Sequence, residues 1–430
     1  MHIYLWFCVL AASVGGVVFG YHTGIIAGAM LFIRNEFHLS STMQGVTVSI
    51  ILLGALCGSF LAGFIADRLG RKRAFFTAAL LLLLGTSIAV FATSTTSLLL
   101  GRFLSGVSVG LYSVVTPMYL SEISSKERRG MIVAFYQLSV SIGILLAYGV
   151  ALLLAHQENW REMLAWGLVP GFVQLMALPF LAESPQWLMG KNHVEKGQKE
   201  AKRLKIKAEA PHSFLHPKWK ALLAPGVRLA FIIGVSLSAF QQFSGINAVF
   251  YFAPQIFELI GLPSQDVTLT ATLGLGTINL LTAALAVWLL DRWGRKILLI
   301  VGTSGMALAL GALACGMFFS YLDLHLLSAI ALMAYVVFFG ISLGPVTWVI
   351  ISEIYPLNIR GRAMSIAILI NWLSNYLISL IFLDLVVWVG AGGVFVLFMC
   401  FCLFALYFVA RWLPETKGKS YEEIQGLFNP

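Results

Sequence analysis

Charged side chains are scarce in this chain of 430 residues: they make up 11% of it, whereas 59% of the residues are hydrophobic. The mean hydropathy is +0.88. So few charges in so long a chain exclude a soluble globular protein and indicate a membrane protein. Cysteines are few as well, lie in apolar segments and form no CxxC pair, which excludes a disulfide framework and a cysteine metal site. They are Cys8, Cys57, Cys315, Cys400 and Cys402.

The sequence also lacks the side-chain sets that enzymes need. It contains no HExxH metal motif and no pair of carboxylates within an apolar run. Without a nucleophile or metal constellation, we expect neither an enzyme nor a bound metal or cofactor. No N-x-[S/T] glycosylation site occurs, and this absence, together with short external loops, favours a bacterial inner membrane.

Apolar runs of about twenty residues recur along the chain. At a rise of ~1.5 Å per residue, each can cross a hydrocarbon layer of ~30 Å as a helix. They lie at 4–33, 43–66, 74–93, 97–118, 131–154, 162–182, 229–260, 267–290, 297–319, 326–350, 364–386 and 390–412. We therefore predict an all-α, polytopic membrane protein with twelve transmembrane helices. The first run follows no basic segment and is too long for a signal peptide, so we interpret it as a retained span.

The distribution of cations predicts the orientation of the chain. Of the 28 lysines and arginines, all except Arg34, Arg102 and Arg161 lie in the tail or in the segments that follow an even-numbered span and precede the next odd-numbered span. By the positive-inside rule these segments and both termini are cytoplasmic. The net charge of +9 then reflects the many cations that hold the cytoplasmic segments inside, and it also attracts anionic membrane lipid to some extent. It does not indicate a nucleic-acid partner.

Three cytoplasmic motifs occur twice at nearly constant spacing. DRLGRK at 67–72 returns as DRWGRK at 291–296, SEISSKERRG at 121–130 as SEIYPLNIRGR at 352–362, and AESPQW at 182–187 as LPETKG at 413–418. Duplicated bundles usually bind substrate near the midplane between two halves and work by rocking one half against the other. The predicted organisation is an N-terminal six-helix bundle at 1–189, a cytoplasmic linker with short amphipathic helices at 190–226, a C-terminal bundle at 227–413 and a tail at 414–430.

The motifs together resemble those of the sugar porter family of the major facilitator superfamily, over essentially the whole length. They are the duplicated D-R-x-G-R-K, GRFLSGVSVG at 101–110, ESPQWL at 183–188, QQFSGINAVFYFAP at 241–254, GPVTW at 344–348 and PETKG at 414–418. The resemblance implies a carrier that moves a monosaccharide, such as glucose, by alternating access. It also implies that the carrier works as a monomer and without a cofactor.

The amides of span seven suit a sugar on chemical grounds alone. Gln241, Gln242, Asn247 and Tyr251 are expected on overlapping faces of one helix. Each carboxamide both donates and accepts hydrogen bonds, as a sugar hydroxyl does. The alternative is that these amides only hold helices together. In the family, the positions that also line the sugar site correspond to Phe19, Gln137, Asn279, Trp348, Asn371 and Trp372.

His22 interrupts the first apolar run. The resemblance implies an aspartate at this position in proton-coupled members and an asparagine in passive hexose carriers, with Arg102 as the partner. Two positive charges ~4 Å apart at an effective dielectric of ~20 repel by roughly 4 kcal/mol, so we expect a neutral imidazole and facilitated uniport. Histidine can also titrate between about pH 5 and 8, which keeps a proton–sugar symporter as the alternative. A sugar sensor on a transporter scaffold is a third possibility, although the tail after Arg411 is short.

Charged residues of the repeated motifs form a predicted cytoplasmic gate. Opposite charges at helix ends can pair when the cytoplasmic side is closed and separate when it opens. Because a single surface pair contributes only ~0–1 kcal/mol, a network is needed; the alternative is that the charges only set the topology. The gate residues are Asp67, Arg68, Arg71, Glu122, Arg129 and Glu183, and in the second half Asp291, Arg292, Arg295, Glu353, Arg360 and Glu415.

Overall fold

A computed structural model of the chain divides into two compact units, Met1–Ser213 and Phe214–Pro430, here called the N-half and the C-half. It describes residues 3–125, 128–206, 222, 224, 227–319, 323–355, 359–417, 419 and 421–427. Within these residues all regular secondary structure is helical. The boundary between the units falls inside the predicted linker.

The N-half consists of the helices α1 Ile3–Glu36, α2 Ser41–Leu69, α3 Arg71–Val90, α4 Thr95–Glu122, α5 Arg129–Leu154, α6 Trp160–Ala165, α7 Leu168–Ala177, α8 Pro185–Gly190 and α9 Val194–Leu204. The C-half consists of α10 Arg228–Phe243, α11 Ile246–Tyr251, α12 Ala253–Ile260, α13 Gln265–Trp293, α14 Arg295–Phe318, α15 His325–Ile341, α16 Leu343–Ile354, α17 Arg360–Trp412 and α18 Tyr421–Gly426. Short 3₁₀ turns at Ala155–Gln157 and Leu178–Phe180 connect elements of the N-half.

Eleven helical stretches within the described residues are long and apolar enough to cross a membrane. The last contains Gly390 at a non-helical φ of 75°, so α17 is two helices joined at a kink. The prediction of twelve spans is therefore confirmed. Large apolar side chains face outward, among them Phe60 with 81% and Leu308 with 77% of its surface exposed. Apolar side chains have a lower free energy in hydrocarbon than in water, so this surface suits a membrane.

Small residues let the helices of the N-half approach closely. Gly54 and Gly58 of α2 lie against α4, and Gly106 and Gly110 of α4 lie against α2, so that a Cβ at any of the four would overlap the opposite backbone. In membranes such contacts supply van der Waals attraction that hydrophobic burial cannot. The pairing of α1 with α5 in the N-half returns as α10 with α17 in the C-half, in keeping with the sequence repeat.

Candidate functional site

Span seven is interrupted at Gly245. Helix α10 ends at Phe243, Gly245 has φ of 90°, and α11 starts at Ile246. Glycine adopts this left-handed conformation without the steric cost of a Cβ atom, and a Cβ here would overlap the ring of Phe398. The prediction of one continuous helix through 241–251 is therefore wrong, because this turn ends one helix and starts another.

The turn brings amides of spans seven and eleven together in an amide cluster, defined as Gln241, Gln242, Asn247 and Asn371. Asn247 Nδ2 donates to Gln242 Oε1 at 2.6 Å. Gln242 Nε2 donates to Asn371 Oδ1 at 3.1 Å and to Gln241 Oε1 at 3.2 Å. Asn371 Nδ2 donates to Gln241 Oε1 at 2.8 Å and to the carbonyl of Ser238 at 3.1 Å. Each amide is thus oriented by its neighbours.

Span ten is broken as well. Helix α15 ends at Ile341, Ser342 has the non-helical angles φ −127° and ψ −102°, and α16 starts at Leu343. Pro345 has no N–H to donate to the carbonyl of Ile341, so a regular helix cannot continue across this point.

Span seven is bonded to span ten on both sides of that break. Gln241 Nε2 donates to the carbonyls of Leu343 at 2.8 Å and Gly344 at 3.1 Å, the first two residues of α16. On the other side, the hydroxyl of Tyr335 in α15 donates to the carbonyl of Ser244 at 2.8 Å.

A second polar chain, which the sequence reasoning missed, starts at Tyr251. The hydroxyl of Tyr251 accepts a hydrogen bond from Asn375 Nδ2 at 3.3 Å, and Asn375 Oδ1 accepts one from Ser379 at 3.1 Å. All three side chains are buried. The signal in the sequence was the spacing of Asn371 and Asn375, because residues four apart lie on the same face of a helix.

The remaining predicted sugar residues lie on both halves. In the C-half, Asn279 and Trp372 are buried, and Trp348 on α16 exposes 36% of its surface. In the N-half, Phe19 is half-buried and Gln137 is exposed. Their contact with a sugar stays a prediction.

His22 is buried in the N-half, with 3% of its surface exposed. Its Nε2 lies against Gly167, between α6 and α7, where a Cβ would lie only 2.9 Å away. The neighbouring Tyr21 fixes the same segment, since its hydroxyl donates to the carbonyl of Met163 at 2.7 Å. The imidazole therefore occupies a space that the missing side chain of Gly167 provides.

Arg102 is also buried, with 2% of its surface exposed. Its guanidinium donates to backbone carbonyls of α2, from Nε to Thr47 at 2.7 Å and from a terminal nitrogen to Val48 at 3.4 Å. Arg102 and His22 are close enough to interact electrostatically. The role of this pair in coupling stays a prediction.

The cytoplasmic end of the N-half carries a compact charge network. Arg71 makes a bidentate pair with Glu122, at 2.8 Å from Nε and 2.6 Å from a terminal nitrogen, and its other terminal nitrogen lies 3.3 Å from Asp67. Glu183 accepts from the backbone N–H groups of Arg71 at 3.0 Å and Lys72 at 3.3 Å. Its carboxylate thus caps the first turn of α3, where N–H groups lack helical partners.

The C-half repeats this arrangement. Arg295 pairs with Glu353 at 3.3 Å from Nε and 2.7 Å from a terminal nitrogen. Glu415 accepts from the backbone N–H groups of Arg295 and Lys296, each at 3.0 Å, and so caps α14. In the C-half, Thr416 adds a further contact, since its hydroxyl donates to Glu353 at 2.7 Å.

Two of the predicted gate arginines do not join these ion pairs. The guanidinium of Arg68 lies 4.4 Å from the ring centroid of Phe64, and that of Arg292 lies 5.0 Å from the ring centroid of Trp288. Each ring lies one helical turn earlier, so a cation–π contact holds the arginine along its own helix. The side chains of three other predicted gate residues lie outside the described part of the chain: Arg129, Asp291 and Arg360.

The two capping carboxylates differ in their electrostatics. Burial raises the pKa of Glu183 above its usual range, although backbone N–H groups and Arg71 act against it. At the less buried Glu415, burial acts in the same direction, but hydrogen bonds from four backbone N–H groups outweigh it and hold the pKa below the usual range. At the same motif position the carboxyl pKa is therefore raised in one half and lowered in the other.

Two pentapeptides, 106–110 and 340–344, match the letters G-x-S-x-G of a hydrolase nucleophile elbow. That elbow needs a serine at a strand-to-helix turn. Here Ser108 lies inside α4 and donates to the carbonyl of Ala78 at 2.6 Å, and Ser342 donates to the carbonyl of Phe338. Among the described residues, no three His, Cys, Asp or Glu side chains are grouped so that they could hold a metal ion.

Comparison with known proteins agrees with this architecture. Residues 8–428 match the family model described as "Sugar (and other) transporter". The chain is 34% identical to the D-xylose transporter of Levilactobacillus brevis, with 96% of this chain and 93% of the relative covered. It is also 34% identical to the glucose transporter GlcP of Staphylococcus epidermidis, over 97% of this chain and 95% of the relative.

A solved structure has the same fold. The structure of the proton:xylose symporter XylE bound to 6-bromo-6-deoxy-D-glucose matches with a TM-score of 0.80 and 30% identity, covering 99% of each chain. Family, relatives and fold agree over nearly the whole sequence. The chain therefore belongs to the sugar porter family of the major facilitator superfamily, a family of multi-pass membrane transporters and not of enzymes.

Proposed function

We propose that this protein transports a monosaccharide, most suitably a hexose such as glucose, across a bacterial inner membrane by alternating access. The proposal includes a monomer with both termini in the cytoplasm, surrounded by membrane lipid. The observation that carries it is the buried amide cluster of the C-half. Its hydrogen bonds are neutral, as recognition of an uncharged polyol requires.

Three amides of the cluster keep hydrogen-bonding capacity for a ligand. Gln242 Oε1 accepts one bond from Asn247, and Asn371 Oδ1 accepts one bond from Gln242, so within the described residues each oxygen keeps a second lone pair. Asn247 is only half-buried and uses one N–H. These groups can accept from and donate to sugar hydroxyls. We propose them as direct sugar ligands.

Aromatic groups complete the proposed site. Trp348 is partly exposed on α16, the helix that starts at the break in span ten, and offers an apolar face to a pyranose ring. Trp372 lies one residue after Asn371 on span eleven. The proposed set also keeps Gln241, Asn279 and Tyr251 of the C-half, and Phe19 and Gln137 of the N-half.

For the energetics, we propose facilitated uniport. His22 is buried close to the fixed positive charge of Arg102, and two cations in such surroundings repel. The imidazole then acts as a neutral hydrogen-bonding group. Proton symport is the second candidate, because the related XylE is named a proton:xylose symporter and an ionisable group inside a membrane is a functional candidate by default.

Uptake of labelled D-glucose into liposomes that contain the purified protein tests both. For a uniporter, sugar equilibrates and an imposed inward proton gradient changes nothing. Accumulation above equilibrium that disappears when the gradient is collapsed would establish symport, and loss of accumulation in His22→Asn would identify the imidazole as the proton carrier. Binding of sugar without flux would instead identify a sensor.

We also propose that the two cytoplasmic charge networks, centred on Arg71 and Arg295, belong to the gate of the transport cycle. In each, a bidentate pair and a capping carboxylate share one arginine, so breaking one contact weakens the others. Such coupling gives a network more influence than isolated pairs have.

A further inference from the structure

We propose that the N-half carries a binding site for one anionic phospholipid of the cytoplasmic leaflet. An acyl chain lies in a groove between spans one and six, and the phosphate lies at Arg203 of α9. The site uses no residue of the proposed sugar site. Its assignment to the cytoplasmic leaflet rests on the proposed orientation of the chain.

The groove has a volume of about 600 Å³ and lies on the surface of the N-half between α1 and α7. Only apolar side chains line it, among them Phe7 of α1, Phe172, Val173 and Met176 of α7, and Phe180 after α7. These side chains are partly exposed, Met176 with 75% of its surface. A groove of this kind within membrane-spanning segments accommodates a hydrocarbon chain more favourably than water.

Tyr4 lies at one end of the groove. Its hydroxyl donates to the carbonyl of Phe180 at 2.9 Å, and its ring stacks on the ring of Phe7 with 6.3 Å between the centroids. Both partners line the groove. Since α1 starts at Ile3 and span six ends near Phe180, this end lies at the proposed cytoplasmic surface of the membrane, where tyrosine is enriched.

Arg203 of α9 lies over Tyr4. Its guanidinium carbon is 4.0 Å from the centre of the tyrosine ring, a cation–π contact that orients the planar group. The carboxylate of Glu200 is 3.7 Å away, which is too long for a hydrogen bond. Within the described residues the guanidinium therefore donates no hydrogen bond, and 50% of the side chain is exposed. Its N–H groups remain for an anion, and a phosphate can accept two of them side by side.

The charge of α9 favours an anionic lipid over a zwitterionic one. Lys196 and Lys199 are exposed and lie on the same face of the helix as Arg203, because they precede it by seven and four residues. Glu200 offsets one of these three positive charges. On another side of α9, Gly197 packs so closely on α8 that a Cβ would lie 2.7 Å from Met189. The basic face is thus held in place beside the end of the groove.

A phospholipid bound in this way contacts two parts of the N-half at once. Its chain contacts spans one and six, and its phosphate contacts α9, which belongs to the linker. Binding therefore fastens the linker helix to the membrane-spanning helices.

Binding of phosphatidylglycerol and phosphatidylcholine with the same acyl chains tests the phosphate contact. Native mass spectrometry of the full-length protein in detergent measures both Kd values. The wild type should bind phosphatidylglycerol at least about fivefold more tightly, the effect of one basic group near an anionic headgroup. Arg203→Gln should weaken phosphatidylglycerol binding about fivefold and leave phosphatidylcholine binding unchanged. Lys202→Gln is the matched control, because it removes the same charge but points about 100° away around the helix, and it should change either Kd less than about twofold.

Val173→Trp tests the groove, since the larger side chain occupies the space of the acyl chain. It should weaken binding of both lipids about fivefold. Leu153→Trp on α5 is its control, because Leu153 is also exposed, with 76% of its surface, but does not line the groove. This variant should bind both lipids as the wild type does.

Three results would each overturn the inference. Equal affinity of the wild type for the two lipids would remove the anionic headgroup. Equal losses in Arg203→Gln and Lys202→Gln would mean that the lipid responds only to the overall charge of α9. Equal binding by Val173→Trp and Leu153→Trp would remove the groove. None of these measurements uses a sugar, so they decide the lipid site even if the protein does not move D-glucose.

Discussion

Asn247 donates a hydrogen bond of 2.6 Å to the side-chain oxygen of Gln242, five residues earlier in the chain. On a regular helix these two side chains would point ~140° apart. They meet because Gly245 between them turns the chain through a left-handed conformation. The geometry of the candidate sugar site therefore depends on one glycine that contributes no chemistry of its own.

Replacing Gly245 by alanine should damage both the fold and the site. An L-residue in the left-handed region costs about 1 kcal/mol or more, and the added Cβ would overlap the ring of Phe398. We expect a lower Tm and at least about tenfold weaker glucose binding. Gly274→Ala is the matched control, because its Cβ would meet only Met333, at 3.5 Å. Equal behaviour of the two variants would mean that the turn does not shape the site.

Gln242→Ala should weaken sugar binding by more than about 1 kcal/mol, or about fivefold in Kd. The variant removes a proposed ligand and leaves the half-buried amide of Asn247 and the buried amide of Asn371 with one partner fewer, which is the costly part of losing a hydrogen bond. Isothermal titration with D-glucose measures the change. Unchanged affinity would remove Gln242 from the set of sugar ligands.

The two capping glutamates should respond oppositely to loss of charge. Glu415 has a lowered pKa in the folded protein, so the stability it contributes is present above its unfolded pKa and is lost as the pH falls through the folded value. Glu415→Gln should therefore lower the Tm at about pH 7.5, by an amount that shrinks at acidic pH.

Glu183 has a raised pKa, so its charged form opposes folding, and stability rises as the pH falls through the folded value. Glu183→Gln resembles the protonated group and should leave the Tm at about pH 7.5 unchanged or higher. Thermal unfolding of both variants in detergent, across about pH 5 to 7.5, compares the two directly. A larger loss for Glu183→Gln than for Glu415→Gln would contradict this assignment of charge.

Gly167→Ala should disturb His22, because the new Cβ would lie 2.9 Å from Nε2 of the buried imidazole. We expect reduced glucose uptake and a lower Tm. Gly149→Ala in the same half is the control, since nothing lies within 4 Å of its Cβ position. Adding His22→Asn to Gly167→Ala should restore part of the Tm, because the smaller side chain relieves the contact with the imidazole but not the contact with the carbonyl of Leu164, also at 2.9 Å. Wild-type behaviour of Gly167→Ala would show that the space around His22 is not tight.

The periodic and repeated features of the sequence predicted the architecture reliably. A membrane-spanning helix can be predicted from its own hydrophobic run, because in lipid it must form all of its backbone hydrogen bonds within itself. The duplicated motifs also indicated which acids and arginines would lie close together, as Arg71 with Glu122 and Arg295 with Glu353 do. For Arg68 and Arg292 the structure adds contacts with Phe64 and Trp288, because a motif shows that charges are near each other and not which groups they contact.

By itself, the sequence determined that this is a twelve-span, two-half membrane carrier and which amides are candidates for binding a sugar, because hydrophobicity and residue chemistry are properties of the chain. Only the tertiary structure decided which amides are already engaged. Gln241 and Gln242 are neighbours of identical chemistry, yet one is saturated by the backbone of α16 and the other keeps an acceptor. Hydrogen bonds between distant segments depend on where breaks such as those at Gly245 and Ser342 direct the helices, and such directions emerge only when the spans pack.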